Sequence, residues 1–276
     1  MKTVLSIQDL SCAGRCSLTV ALPVLSAMGC RCSILPTAVL STHTGFPQPH
    51  VISLTEDIAK IFGHFSRLDL RFNAVTTGYL ADPAQIRSVV AVLQHFRQQG
   101  SLIIADPAMG DHGKLYSRLD ASHVDAMAEL CRNADILLPN VTEAALLTGL
   151  PYEETADPAY GKALADALLD KFPADAVLIT GIRSSEGTIG FVGRHRGTGY
   201  FSYETPAVPR QFHGTGDLFA AVFAGTALRD ADPLHAGMAA ADFVRACVEG
   251  TPQVTPHGVD FEAQLHRLFP NTSHPT

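Results

Sequence analysis

The sequence of 276 residues has few charged side chains, and the positive ones are scattered. Asp, Glu, Lys and Arg make up 17% of the chain, and no two Lys or Arg residues are adjacent. Proteins that bind nucleic acid cluster their basic residues on one face. With a net charge of −7 and no such cluster, the sequence predicts no nucleic-acid partner. Any phosphate group must then be held locally, largely by backbone groups.

Long apolar runs and paired cysteines are also missing. No stretch reaches the roughly 18 apolar residues of a membrane-spanning helix, and Gln8 and Asp9 interrupt the first apolar run as no secretory signal would. The six cysteines include no C-x-x-C pair. Cys12 and Cys16 have no second ligand pair nearby, which disfavours a zinc site. Reduced thiols fit better, so we expect a cytoplasmic protein with no membrane partner.

The sequence does contain short β-type runs that alternate with longer helical patterns. Such alternation predicts an α/β fold, a central mostly parallel sheet with helices on both faces. We expect a single domain, 1–276, with a frayed tail at 270–276. The predicted strands are 3–8, 33–40, 73–77, 102–105, 136–138, 177–180 and an antiparallel pair, 188–192 and 200–205. The predicted helices are 15–28, 51–65, 83–99, a helix from 140, 160–170, 217–228, 233–249 and 261–269.

Ligands of such sheets bind outside the carboxyl ends of the strands. A lone His or Tyr is more often structural than functional, so position beyond a strand end is what makes such a residue a candidate. This rule selects Asp9, His43, Thr44, Gly45, Gly78, Tyr79, Asp106, Asn140 and Gly181.

The strongest local signal is His-Gly-Thr-Gly-Asp at 213–217, followed by the apolar segment 218–224. Two glycines let the backbone turn tightly and approach a ligand closely. The next segment reads as a buried helix, whose N-terminal N–H groups offer a site for phosphate oxygens. Asp217 beside them is placed to accept the proton of an attacking alcohol. The alternative is that Asp217 only caps the helix and the glycines form an ordinary loop.

Two further motifs also allow a structural interpretation. Asp106 and Asp111 enclose a turn after an apolar strand, where their carboxylates could bind a hydrated Mg²⁺ or stay solvated. Asn140 and Glu143 have the form of a capping box at a helix start. Glu143, close to the Asp106 loop, could also reach a metal-bound water, and the two roles are compatible.

Together these motifs resemble the vitamin kinases of the ribokinase-like superfamily, specifically the pyridoxal/pyridoxamine kinase group. Each motif is weak singly, but five in this order and spacing are specific, and they cover most of the chain. The matching segments are 6–8 with Gly14, 41–45, 77–80, 106–111 with Gly113 and Tyr116, 139–143 and 214–217.

The resemblance implies ATP-dependent phosphorylation of the 5′-hydroxymethyl group of a vitamin B6 compound: pyridoxamine, pyridoxal or pyridoxine. It also implies Mg²⁺, often a monovalent cation such as K⁺ near the phosphates, and commonly a homodimer. Asp217 matches the family's catalytic base, and Gly214, Thr215 and Gly216 match its anion hole. The remaining matches are ATP binding by Asp106, Asn140, Thr180, Gly214 and Gly216; metal binding by Asp106, Asp111 and Glu143; substrate binding by Asp9, His43, Thr44, Tyr79 and Asp217; and a flap at Gly113, Lys114 and Tyr116.

The sequence departs from the group at three positions. Asp9 stands where many members have Ser, Leu138 where many have Thr, and His213 precedes Gly-Thr-Gly as in the hydroxymethylpyrimidine kinases. Those enzymes usually have Cys at the position of Asp217 and an N-terminal Ser-Gly-Gly run, where this chain reads Ser-Cys-Ala-Gly-Arg at 11–15. A B6 kinase is therefore the first expectation and a hydroxymethylpyrimidine kinase the alternative.

Two functions of other classes are alternatives to a vitamin kinase. A non-catalytic B6-binding protein has no need of a positioned base such as Asp217. An NAD-dependent Rossmann enzyme is excluded because no G-x-G-x-x-G follows the first strand. An ionised Asp9 can only accept hydrogen bonds, which favours the amino group of pyridoxamine over pyridoxal. Alternatively, Asp9 caps the following turn or pairs with Arg15 and never meets ligand.

Overall fold

The computed structural model describes residues 1–183 and 187–269. The strands in these ranges are β1 (Thr3–Ser11), β2 (Arg31–Leu40), β3 (Val51–Ser53), β4 (Ala74–Thr77), β5 (Leu102–Ala105), β6 (Gly110–Asp111), β7 (Lys114–Leu115), β8 (Ile136–Leu137), β9 (Ala176–Ile182), β10 (Thr188–His195) and β11 (Gly199–Pro206). The helices are α1 (Leu18–Ala27), α2 (Thr55–Arg67), α3 (Pro83–Gln98), α4 (Ala121–Cys131), α5 (Val141–Thr148), α6 (Pro158–Lys171), α7 (Thr215–Asp230) and α8 (Pro233–Gly250), with a 3-10 helix at Glu262–Leu268. The frayed tail predicted for 270–276 lies outside the described residues.

Across the described residues, nine strands form one sheet in the order β11-β10-β9-β8-β5-β4-β1-β2-β3. The strands from β9 to β2 in that order are parallel to one another. At the edges, β3 is antiparallel to β2, and β10 is antiparallel to both β9 and β11. β6 and β7 form a separate short hairpin. The expected antiparallel pair and the mostly parallel α/β sheet are both confirmed.

Helices cover both faces of the sheet because successive strand residues point to opposite sides. On one face Ile7, Val75 and Ile103 pack in a buried cluster with residues of α2 to α6. On the other face Val4 and Ile104 pack in a second cluster with residues of α1, α7 and α8. The helix α7, predicted to be buried, contributes apolar side chains to this second core. No helix among the described residues is long and apolar enough to cross a bilayer.

Several predicted boundaries were wrong for identifiable reasons. α1 begins at Leu18 and not at 15, because Ser17 has φ 53° and ψ −126°, outside the helical region. The helix predicted from 51 begins at Thr55, because Val51–Ser53 pair with the edge of β2 instead. The last helix is 3-10 and not α.

No helix was predicted in the region of α4, Ala121–Cys131. This helix begins after Asp120, whose side chain accepts a hydrogen bond from the backbone N–H of Ser122. An Asp in this role is a standard helix-start signal.

Candidate active site

The candidate residues meet at the carboxyl edge of the parallel strands. Asp9 lies near the end of β1, Tyr79 follows β4, Asp106 follows β5 and Asn140 follows β8. β1, β4, β5 and β8 are successive neighbours in the sheet, so these residues come to one edge. Thr180 is in β9, where it forms a bridge with Asn140 and donates its N–H to the Pro139 carbonyl at 3.0 Å. The rule about strand ends therefore placed these side chains together.

The Gly-Thr-Gly motif forms the start of α7. Gly214 is the N-cap residue with φ 86°, and the helix begins at Thr215, two residues earlier than predicted. A Cβ on Gly214 would lie 2.2 Å from the Arg15 carbonyl oxygen, so glycine is required there. A Cβ on Gly216 would meet nothing within 4 Å, so this residue borders open space. The first-turn N–H groups of a helix have no intrahelical acceptor and can bind an anion.

Asp217 is the third residue of α7 and does not cap it. The cap position belongs to Gly214, and no side chain caps this helix. The interpretation of Asp217 as only a helix cap is therefore wrong. The carboxyl is half-buried, and loss of water around it raises its pKa to about 7, helped by the nearby charge of Asp9 and opposed by the backbone N–H of Ser17. A carboxylate with this pKa is suited to general-base catalysis near neutral pH.

Asp106 and Glu143 form an acidic pair beside Asp217. Burial and then the charge of Asp217 raise the pKa of Asp106 to about 8. Burial, and then Asp106, hold the pKa of Glu143 well above its usual range. Because the charge of Asp106 acts on Glu143, a cation near both carboxylates would be stabilised.

The capping box predicted for Asn140 and Glu143 is confirmed. Asn140 Oδ1 accepts from the Glu143 N–H at 2.9 Å, and Glu143 Oε2 accepts from the Asn140 N–H at 2.9 Å. Glu143 Oε1 accepts from the Met109 N–H at 3.1 Å, and Asn140 Nδ2 donates to the Gly110 carbonyl at 2.8 Å. The cap therefore also fixes the loop that follows Asp106.

The predicted flap corresponds to the β6–β7 hairpin. Gly113 has φ 73°, and its N–H donates to Thr142 Oγ1 at 2.9 Å. Tyr116 lies with its ring centroid 6.3 Å from that of Tyr79. Burial and then the charges of Glu143, Asp106, Asp111 and Asp217 raise the pKa of Tyr116, which places it beside the acidic group. Lys114 and Asp111 are exposed.

His43 is buried beside His213, which precedes the Gly-Thr-Gly motif. It is 3% exposed, its Nδ1 accepts from the Gly45 N–H at 3.1 Å, and its Nε2 has no hydrogen-bond partner by distance and angle. Its ring centroid is 5.0 Å from that of His213. Burial lowers the pKa of His43, so the ring is neutral at pH 7. Thr44, predicted next to it, is exposed and has no described polar contact.

Ser17, in the turn before α1, was not predicted as a site residue. Ser17 Oγ donates to Asp9 Oδ1 at 2.5 Å. Arg15 pairs with Asp260 at 3.0 Å and with Glu262 at 2.7 Å, so the suggested Arg15–Asp9 pair is not formed. Only Gly14, a turn signal, marked this region in the sequence.

Metal binding by Asp106, Asp111 and Glu143 stays a prediction. Within 1–183 and 187–269, no group of three or more His, Cys, Asp or Glu side chains is arranged to ligate a metal. Mg²⁺ usually takes only one or two protein carboxylates and completes its shell with water and phosphate oxygens. Glu143 and Asp106, whose charge acts on it, offer two such carboxylates. Asp111 is exposed and accepts from the His112 N–H at 2.8 Å.

Comparison with known proteins places the chain in a family. The family described as phosphomethylpyrimidine kinase matches residues 21–260. The pyridoxal kinase of Deinococcus radiodurans is 30% identical over 246 residues, covering 83% of this chain and 80% of its own.

Two solved structures share the fold over nearly the whole chain. A candidate phosphomethylpyrimidine kinase from Bacteroides thetaiotaomicron, in a form with pyridoxal, has a TM-score of 0.91 and 34% identity, covering 97% of this chain and 95% of that one. The pyridoxal kinase of Leishmania donovani with ADP and pyridoxamine has a TM-score of 0.87 and 25% identity, covering 97% and 96%. With its motifs, its fold and these relatives in agreement, the chain belongs to the phosphomethylpyrimidine kinase family, in the pyridoxal kinase group of the ribokinase-like superfamily.

Proposed function

We propose that this protein is an ATP-dependent kinase that phosphorylates the 5′-hydroxymethyl group of a vitamin B6 compound. The observation that carries the proposal is Asp217, a half-buried carboxyl with a pKa of about 7 in the first turn of α7, next to Asp106. This arrangement combines a base with an anion-binding helix end. The structures of relatives with pyridoxal, and with ADP and pyridoxamine, support the choice of both substrates.

In the reaction, ionised Asp217 accepts the proton of the vitamer's hydroxyl group. The hydroxyl oxygen attacks the γ-phosphorus of ATP, and the bond from that phosphorus to the bridging oxygen of ADP breaks. The N–H groups of Thr215, Gly216 and Asp217, in the first turn of α7, would stabilise the charge that develops on the transferred phosphoryl group. Asn140 and Thr180, joined by their bridge, would border the nucleotide phosphates.

Mg²⁺ would be held by Asp106, with Glu143 acting through a water because both of its oxygens already accept backbone N–H groups. The metal would supply positive charge that neutralises the phosphate oxygens. Asp111 is a weaker candidate because it is exposed and stands outside the acidic pair. A monovalent cation such as K⁺ stays a prediction from the resemblance.

The vitamer would lie between Asp9, His43 and Tyr79, with the hairpin of Gly113, Lys114 and Tyr116 over it. Asp9 is 4% exposed, and its charge, after burial, raises the pKa of Tyr79. We expect a preference for pyridoxamine, whose amino group can donate to this carboxylate, over pyridoxal. In Asp9→Ser, the ratio of kcat/KM for pyridoxamine to that for pyridoxal should fall. An unchanged ratio would assign Asp9 a purely structural role.

The deciding experiment is an ADP-release assay with purified protein, MgATP and, separately, pyridoxal, pyridoxine, pyridoxamine and hydroxymethylpyrimidine. We expect ADP only when one of these alcohols is present, and fastest with a B6 compound. Fastest turnover of the pyrimidine would favour the second candidate, which the family match and His213 before Gly214 support. Tight vitamer binding with no ADP under any cation condition would indicate a carrier protein.

The single-domain, homodimer and cytoplasmic predictions form part of the proposal. Six free thiols are compatible with a reducing compartment. Light scattering of the purified protein with and without vitamer would test the dimer.

A further inference from the structure

The turn between β1 and α1 contacts both carboxyls at the vitamer end of the site. Ser17 Oγ donates to Asp9 Oδ1 at 2.5 Å, while Ser11 Oγ reaches Asp9 Oδ2 only at 3.4 Å. The backbone N–H of Ser17 faces the Asp217 carboxyl. Ser17 is itself 5% exposed. One buried residue therefore meets the acid expected to bind the vitamer and the acid expected to act as base.

The backbone of Ser17 is strained. Its φ of 53° with ψ of −126° is a conformation that glycine adopts easily and that a residue with a Cβ rarely adopts. The turn is held by Thr19, whose Oγ1 donates to the Cys16 carbonyl at 2.7 Å and accepts from the Cys16 N–H at 3.2 Å. Strained residues persist only where their surroundings impose them, and they cluster at functional sites.

Helix capping does not account for the hydroxyl group. Ser17 occupies the N-cap position of α1, where a serine side chain normally accepts a hydrogen bond from the second or third helical N–H. Here no side-chain cap bond is made, and the hydroxyl is directed to Asp9 instead. A glycine would give this backbone without strain, so what the serine adds is its bond to Asp9.

We propose that Ser17 is a positioning residue that fixes Asp9 for vitamer binding through its hydroxyl group. The inference rests on the proposed function, because it assigns a specificity role within the same site. Loss of the hydroxyl leaves Asp9 with a single long side-chain hydrogen bond, from Ser11. The vitamer should then bind more weakly.

The test compares Ser17→Ala, Ser17→Gly, Asp9→Asn and the double variant Ser17→Ala/Asp9→Asn by steady-state kinetics. Ser122→Ala is the matched control, because Ser122 Oγ also donates to an aspartate at a helix start, Asp120, at 2.6 Å on the exposed surface. A hydrogen bond to a charged group accounts for about 10- to 100-fold in binding. We expect the vitamer KM to rise by about tenfold or more in both single Ser17 variants, with the KM for ATP unchanged.

The double variant separates positioning from a general structural effect. If the hydroxyl acts through Asp9, adding Ser17→Ala to the Asp9→Asn variant should raise the vitamer KM by less than about twofold. The proposal would be overturned if the increases in vitamer KM of the two single variants multiplied in the double variant. A wild-type vitamer KM in Ser17→Ala would also overturn it, as would full recovery of that KM in Ser17→Gly, which relieves strain but restores no hydroxyl.

Wild-type protein in the same assay decides the proposed function separately. If it releases no ADP with any alcohol, the kinase assignment fails, and the same variants are compared by calorimetric Kd for pyridoxamine. An unchanged Kd in Ser17→Ala overturns the positioning role in that case as well.

Discussion

The first turn of α7 offers a substitution that separates stability from catalysis. In Gly216→Ala the new methyl group would have no atom within 4 Å, so the free protein accommodates it without strain. Replacing glycine by alanine in a helix contributes about 0.5–1 kcal/mol of stability. For a protein of this size that corresponds to a Tm increase of about 1–4 °C. The mutant should therefore fold at least as well as the wild type.

Its activity should nevertheless fall. If the transferred phosphoryl group lies against the N–H groups of this turn, the methyl group occupies the space that the phosphate oxygens need. A displacement of about 1 Å costs on the order of 10²-fold in rate. We therefore expect a Gly216→Ala enzyme with raised Tm and a kcat lowered about 10²-fold, measured by thermal unfolding and coupled ADP release.

Two other glycines provide the comparison. Gly63 lies inside α2, where a Cβ would make only an ordinary contact with Arg67 at 3.7 Å, so Gly63→Ala should gain similar stability with unchanged kinetics. Gly214→Ala should lose both stability and activity, because its Cβ would meet the Arg15 carbonyl at 2.2 Å in a left-handed backbone. Wild-type kcat and KM for ATP in Gly216→Ala would refute the placement of the phosphate at this helix end.

Three further predictions concern titratable groups. Asp217→Asn should lower kcat by about 10²- to 10⁴-fold, and an unchanged kcat would exclude the base role. The same variant should have a raised Tm at pH 8, because a carboxyl whose pKa is raised to about 7 by burial destabilises the fold once it ionises. In the wild type, kcat/KM for the vitamer should fall as the pH drops below about 7, because protonated Asp217 cannot accept a proton; a profile flat down to pH 5 would contradict this. His123 is 1% exposed, neither of its ring nitrogens has a hydrogen-bond partner, and burial lowers its pKa, so it destabilises the fold increasingly as the pH falls below its unfolded pKa of 6.5. His123→Leu should raise the free energy of unfolding by about 1–3 kcal/mol in urea titrations, more at pH 5.5 than at pH 7.5. A less stable variant would show that the imidazole is hydrogen-bonded in the folded protein.

The parts of the site that follow strands could be predicted from the sequence. Asp9, Asp106 and Asn140 each end an apolar run, and parallel strands bring such residues to one edge whatever the lengths of the intervening helices. The capping box of Asn140 and Glu143 depends on residues three apart, so local spacing was sufficient.

The turn at 14–17 could not be predicted, because long-range contacts determine it. Arg15 has a good helix propensity but lies outside α1, held by Asp260 and Glu262. Ser17 takes a glycine-like conformation that no propensity favours. The edge strand β3 was also not predicted, because it forms only by pairing with β2. The local pattern of apolar and polar residues there is equally compatible with a helix.

The pairing of Arg15 with Glu262 joins residues 247 positions apart. Backbone hydrogen bonds also connect distant segments here: the Arg15 N–H donates to the His257 carbonyl at 2.9 Å, and the Val259 N–H donates to the His213 carbonyl at 3.2 Å. Contacts of such sequence separation are slow to form, because the chain entropy is lost before the contact compensates for it. During synthesis, a nascent chain can already pair its parallel strands while the turn at 14–17 still lacks its anchor. Binding of the vitamer should therefore appear late in biogenesis, after the sheet has formed, and should report that the chain has been made through Glu262.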